Sequence, residues 1–395
     1  MTLFKTPQLP TPERSEIELG FLPLIDCAPL VIAKEKGFFA ESGLAVSLSK
    51  EGSWASIRDK VVLGLLDGAQ MLAGIPLAST LGLSSPKVPM VTAFNIGLNG
   101  KAITLSNTLL KELNQLTPAS ESHQSTAAGL KKIIQQRRQN GEAKLTLAMV
   151  YPYSTHNYLL RYWLSDADID PDKDVNLIVV PPQQMAQSMK KGMIDGYCVG
   201  EPWNSVAQIE GIGSPVISGY EIWNNCPDKV FAVKQTWAKN FPATHKAIIC
   251  ALIMASDWLD QPQHYHEAIE ILNQPEYLDN TLHSQVDSQP LLKQTHFFKY
   301  AAGYPWRSHA LWFLHQMQQW QQLDNDIDLK AIATQVYQPE IFREVATQLG
   351  IPHPTIDCKP EGFHNSEWIL QGNAGAVTMG SDLFFNGATF DPNSC

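Results

Sequence analysis

The stretch KEGSWASIRDK (50–60) sets an indole, Trp54, on the first turn of a charged helix, directly after Gly52-Ser53. The serine hydroxyl suits an N-cap, where it accepts from one of the free N–H groups of the helix start. Read alone, the indole fits packing on an apolar core at least as well as contact with a ligand. His264, His266 and Glu267 in QHYHEAIE carry metal-ligand side chains at close spacing. They lack a second cluster at a known spacing, so a solvated helix start is expected there and no metal site. The chain holds no G-x-S-x-G elbow, no G-x-x-x-x-G-K-[ST] and no G-x-G-x-x-G at a strand-to-helix turn. No nucleophile and base can be paired from the sequence. Binding is therefore expected in place of catalysis, with no cofactor.

The 395 residues are enough for two domains with sizeable cores, and 44% apolar with 17% charged residues is ordinary for a water-exposed globular chain. A net charge of −10 argues against a nucleic-acid surface but leaves open a pocket for one small anion, which local charge decides. Six scattered cysteines without a C-x-x-C pair read as reduced thiols. The first 24 residues show no apolar h-region and no lipid-anchor cysteine, and the longest apolar run, AIICALIMA (247–255), suits a buried helix. A cytoplasmic location is expected on these grounds.

Such candidate residues need elements to hold them. IELGFLPL (17–24), LAVSLS (44–49), AQMLAGIP (69–76), KVPMVTAF and KAITLS read as strands. Between them, 28–43 and 53–68 read as helices. The polar stretch 107–142 reads as a loop and the helix AAGLKKIIQQRRQ, after which LTLAMV (145–150), THNYLLRYWLSD, VNLIVVPP (175–182), QQMAQSMKKGMIDG and YCVG resume the alternation. Strands alternating with helices imply βαβ units and mainly parallel sheets. GLLDGA (64–69) and GMIDGY (192–197) echo each other as a helix end leading into a strand, which suggests two similar lobes. Past residue 237 the pattern becomes largely helical. A cleft between two such lobes offers the loops at strand C-terminal ends and the helix N-termini to a ligand. Trp54, then Thr155 and His156 after LTLAMV, and Gln183 after VNLIVVPP occupy such positions. His156 could equally cap its helix or pack in the core.

LGFLPLIDCAPLVIAKEKGFFAESGL, SWASIRDKVVLGLLDGAQML, LNGKAITLS, THNYLLRYWL, VVPPQQMAQSMKKGMIDGYCVGEPWN and YPWRSHALWFL together resemble the NrtA/CmpA family of nitrate- and bicarbonate-binding proteins, in order and over roughly residues 17 to 350. The resemblance implies an α/β, two-lobed fold of the periplasmic-binding-protein class II type. Lobe 1 would take 17–102, lobe 2 would take 103–230, and 231–395 would return, largely helical, to pack on lobe 1. The family's ligand contacts fall by motif position on Trp54, Lys101, His156 and Lys229. Lys101 departs from the family pattern, where glutamine is expected: it would add a charge or point away. Bicarbonate-type members tend to carry an acidic residue at the Lys229 position and to use a metal, so a lysine implies a metal-free site for a monovalent anion.

Nitrate is planar, singly charged and weakly hydrated. An ammonium and an imidazole N–H can give it charge-assisted hydrogen bonds, and an indole can stack on it. The resemblance is strongest to the leaderless nitrate/nitrite sensors of the NasS type. It implies that anion binding releases an RNA-binding, NasT-like antiterminator held inactive in a complex. The competing expectations are a receptor of a nitrate importer and an enzyme on a related fold.

Overall fold

The computed structural model describes residues 9–83, 86–116, 123–282 and 295–392. Two five-stranded mixed sheets dominate it, each with helices on its faces. In the first sheet β1 (Glu16–Phe21), β2 (Ala45–Lys50), β3 (Gly68–Leu72), β4 (Met90–Leu98) and β10 (Pro227–Lys234) are ordered β2-β1-β3-β10-β4. In the second, β5 (Lys101–Ser106), β6 (Thr146–Met149), β7 (Asn176–Val179), β8 (Gly196–Gly200) and β9 (Gly213–Ser218) are ordered β7-β6-β8-β5-β9. The orders are the same pattern twice. In each sheet three strands are parallel and the fourth, β10 or β5, runs antiparallel after arriving from the other lobe.

The G-x-x-D-G echo has a structural counterpart. Gly64 and Gly192 adopt left-handed φ of 77° and 68°, ending their helices as a residue without Cβ can. Asp67 N–H then donates to the Glu18 carbonyl at 2.9 Å and its carboxylate accepts from Glu18 N–H at 3.0 Å, while Asp195 does the same with Thr146, both bonds at 2.8 Å. Each aspartate thus ties the start of one strand to the start of its neighbour.

The chain changes sheets at Asn99-Gly100 and again between β9 and β10. These two crossings bond to each other: Asn99 N–H donates to the Cys226 carbonyl at 3.0 Å and the Asn99 amide to Asn225 at 3.1 Å. Residues 227–230, which the sequence placed in the second lobe, are strand of the first sheet, and Lys101 and Ala102 begin a strand of the second. The chain reading AQMLAGIP as one strand is also corrected. β3 stops at Leu72 and a helix runs from Gly74 to Leu81, because Pro76 sits in its first turn, where a missing N–H costs nothing. VNLIVVPP yields only the four-residue edge strand β7, and Pro182–Gln184 forms a 3-10 turn before the helix Met185–Lys190.

Past β10 the described part of the return segment is largely helical up to Leu349. Pro242–Leu259 and Pro339–Leu349 cover the first sheet together with Ala28–Glu35. Beyond 350 the expectation of helix fails: glycines and prolines interrupt it, and a two-stranded ribbon forms from β11 (Trp368–Gln371) and β12 (Ala376–Met379). The C-terminal part also reaches further than lobe 1. Trp312 and Phe313, on the helix Arg307–Gln319, pack on Tyr158 of the second lobe with ring centroids 6.2 and 6.3 Å apart. Phe384 lies 5.0 Å from Trp223 and 5.8 Å from Tyr162. One apolar core consequently runs through both lobes, with Trp54, Leu72, Tyr158, Trp223 and Trp312 in it.

Candidate functional site

Both lobes send the C-terminal ends of their parallel strands toward one buried space. From the first lobe come the 3-10 turn Ile25–Cys27 after β1, with Asp26, and the helix Trp54–Leu63. Ser53 caps that helix as expected, its hydroxyl accepting from Ser56 N–H at 3.1 Å, and this places Trp54 on the first turn. β10 brings Asp228 and Lys229. The second lobe supplies Lys101 at the start of β5 and the helix Thr155–Asp166, whose cap Ser154 accepts from Asn157 N–H at 3.1 Å. Two capped helix starts, one from each lobe, therefore bring side chains to the start of β10, one Trp54 and the other Thr155 and His156.

Lys229 is the centre of the arrangement and is fully buried. Its ammonium donates to Asp26 Oδ2 at 2.7 Å and to the neighbouring Asp228, and it stands 5.5 Å from the centre of the Trp54 ring, within cation–π range. Gln70 on β3 accepts from Leu22 N–H at 2.9 Å and donates to Asp26, fixing that carboxylate. Lys101 is also buried: its ammonium donates to the Asn99 carbonyl at 3.3 Å, lies 3.1 Å from Cys226 Sγ and 4.0 Å from Asp228 Oδ2. It adds charge to the site and does not point away. His156 Nε2 is 3.5 Å from Asp228 Oδ2, and neither ring nitrogen has a hydrogen-bond partner among the described residues. The Trp54 indole N–H and Asp228 Oδ1 are buried and unpartnered there as well.

Thr155 Oγ1 donates to the Pro227 carbonyl at 3.3 Å, linking the lobes beside this group. Gln183 stands apart from the charges. It is half-buried, donates to the Glu51 carbonyl across the cleft at 3.4 Å, and leaves its own amide oxygen unpartnered.

Burial disfavours every charge here, and the neighbours decide which survive. Burial pushes the Asp26 carboxyl up, against the pull of Lys229. For Asp228 burial is outweighed by nearby cationic charge, that of Lys229 and Lys101, which holds it below the usual carboxylate range. Burial drives His156 down to about 3, helped by Lys229 and Lys101 and opposed by Asp228, so the imidazole is neutral at pH 7. Two ammoniums thus face two carboxylates around a neutral imidazole.

Sequence reasoning missed Asp26, Asp228 and Gln70. An acid inside the apolar run LPLIDCAPLVIA was the available signal, because a lysine buried beneath an indole requires carboxylates to stabilise it. His264, by contrast, stacks on Trp258 and meets its carbonyl at 2.8 Å, and Glu267 pairs with Lys36 at 2.6 Å. Among the described residues no group of three or more His, Cys, Asp or Glu is arranged to hold a metal ion.

Two lobes exchanging two crossings around a buried polar site form the fold of the periplasmic binding proteins. The chain belongs to the NMT1-like family, whose model matches residues 10–273, and within it to the group of nitrate/nitrite- and bicarbonate-binding proteins. It is 31% identical to the nitrate/nitrite binding protein NrtA of Nostoc, over 97% of this chain and 84% of that protein. It is 39% identical over 91% of its length to the nitrate import ATP-binding protein NrtC of Synechocystis, of which it spans about half (53%). The crystal structure of the periplasmic nitrate-binding protein NrtA of Synechocystis superposes with a TM-score of 0.82 at 29% identity, covering 98% of this chain and 97% of that one. No helix among the described residues is long and apolar enough to cross a membrane.

Proposed function

We propose that this chain binds nitrate or nitrite between its lobes, against Lys229, Lys101, His156 and Trp54, with Thr155 and Gln183 closing the edges. The carrying observation is the pair of buried ammoniums beside two donors with no partner among the described residues, the Trp54 indole N–H and the His156 ring. A weakly hydrated, planar, singly charged anion loses little on leaving water and gains charge-assisted bonds and a stacking face. The NrtA likeness supports that ligand class. Because the contacts come from both lobes, the anion favours the closed arrangement, and a sensor follows if a partner prefers another one. The proposed partner is a NasT-like antiterminator, held by the anion-free protein in the cytoplasm and released when nitrate or nitrite binds; the release can be no larger than the ligand's preference for the partner-free form.

A second reading has its own support. The 39% identity to half of an importer's ATP-binding protein favours a ligand-binding part of a nitrate importer.

Titration calorimetry with nitrate, nitrite and bicarbonate tests the ligand: saturable binding of the first two, with bicarbonate weaker, is expected, and no heat from nitrate or nitrite at millimolar levels refutes it. Mixing the protein with the antiterminator and adding nitrate tests the sensor role. A complex unaffected by nitrate, or none at all, would leave the importer reading.

A further inference from the structure

We infer that the interlobe site takes up its anion together with one proton, held by the Asp228–His156 pair. The inference rests on the anion-binding function proposed above and extends it to a second, obligatory ligand. Before any anion enters, the two carboxylates of Asp26 and Asp228 already balance the two ammoniums of Lys101 and Lys229, and all four groups are buried. With Asp26 kept ionised by its ion pair to Lys229, the site is neutral without its ligand. A monovalent anion added to it leaves one uncompensated negative charge away from water, which is costly. A proton removes that cost.

His156 is placed to accept it. The imidazole is buried and sits 3.5 Å from Asp228 Oδ2; among the described residues neither the ring nor the other Asp228 oxygen has a hydrogen-bond partner. Protonation there creates a buried imidazolium–carboxylate pair and turns both ring nitrogens into donors, one toward Asp228 and one free for the anion. The other titratable groups facing this space among the described residues have partners or stay neutral. From the turn after β1, Asp26 is pushed up by burial, but Gln70 and Lys229 donate to it and favour its carboxylate. From β10 and β5 come the ammoniums of Lys229 and Lys101. The thiols of Cys226, at the second crossing, and of Cys198, on β8, are pushed up by burial and stay neutral. On the loop after β8, burial pushes Glu201 up, opposed by the bond it accepts from Ser205 N–H at 3.2 Å. On the histidine's own helix, Arg161 is paired with Asp172 at 2.7 Å. Because the two ligands are linked reciprocally, the anion that raises the proton affinity of the pair is itself bound more tightly when the proton is present.

Nitrate titrations of the whole chain at pH 7 in PIPES, HEPES and Tris, whose ionisation enthalpies differ, read the proton number directly. Uptake near one proton per nitrate is expected, with affinity falling about tenfold per pH unit above neutrality. In Asp228→Asn the site begins with one net positive charge, so uptake should drop to near zero and nitrate at pH 8 should bind at least tenfold more tightly than to the wild type. Nitrate binding by the wild type with no proton uptake overturns the inference and leaves the anion function standing. Uptake that persists in Asp228→Asn places the proton elsewhere and also overturns it. Absence of nitrate binding by the wild type refutes both. The wild-type proton number needs no variant to fold.

Discussion

Lys229 owes its charge to its neighbours. A lysine without solvent contact keeps an ammonium only where carboxylates and a polarisable ring surround it, and Asp26, Asp228 and Trp54 do so here. Removing it leaves two carboxylates buried around one remaining ammonium. Lys229→Met should therefore lower stability by about 3–5 kcal/mol in urea titrations, besides abolishing anion binding. Lys229→Glu should be worse still, since it adds a third acid to the cluster. His156 makes a pH-dependent prediction. Its folded pKa of about 3 lies below the ordinary histidine value, so the unfolded chain takes up the proton first. Stability contributed by the neutral ring is whole above pH 6.5 and declines as pH falls toward 3. In the anion-free protein, the stability of wild type minus that of His156→Gln should fall by about 1.4 kcal/mol per pH unit through that window, measured by denaturation at pH 7, 6 and 5. A difference that does not change with pH would mean that the ring is not held neutral.

The elements that present these residues are short and depend on their caps. Ser53 and Ser154 each satisfy one N–H in the first turn of a helix that faces the site, and so orient Trp54 and His156. Ser53→Ala or Ser154→Ala should each cost about 1 kcal/mol of stability. Each should also weaken nitrate binding, because the first turn loses its fixed direction. Calorimetry on a cap variant with unchanged affinity would show that the turn is held by packing alone. The cap at Ser154 appeared only in the structure, whereas the Ser53 cap was legible from GSWAS and the two G-x-x-D-G turns from their glycines. The second role of the aspartates, clamping Glu18 and Thr146, was not, because it joins residues 49 positions apart.

Across the whole molecule, closure is shared between a polar and an apolar fastening. The polar one is the charge cluster, together with the Thr155 and Gln183 bonds between lobes. The apolar one lies on the C-terminal side, where Tyr158 packs on Trp312 and Phe313, and Phe384 on Trp223 and Tyr162. Asn386 adds bonds to Tyr162 at 2.7 Å and Asp166 at 2.9 Å. Phe384→Ala should cost about 3–5 kcal/mol and loosen the second lobe, seen as a larger radius of gyration in solution scattering without nitrate. A binding site made by both lobes also predicts stabilisation by its ligand, about 2.7 kcal/mol with nitrate at a hundredfold its Kd. Nitrate that binds without raising the denaturation midpoint would argue against a site formed only in the folded, closed protein.

Local patterns in the chain were enough for the alternating lobes, their repeat, and the positions of Trp54, Thr155, His156 and Gln183 at strand ends or helix starts, since hydrophobic period, caps and glycine turns act over a few residues. The motif order added Lys101 and Lys229 as candidates. Tertiary structure alone decided what those lysines meet. Asp26 lies 203 residues from Lys229 and Cys226 lies 125 from Lys101, and only the two crossings between sheets bring them within bonding distance. It likewise decided that the C-terminal aromatics fasten both lobes. Periodicity reports which face of an element is buried, whereas the balance of charge in a cleft depends on which buried faces meet.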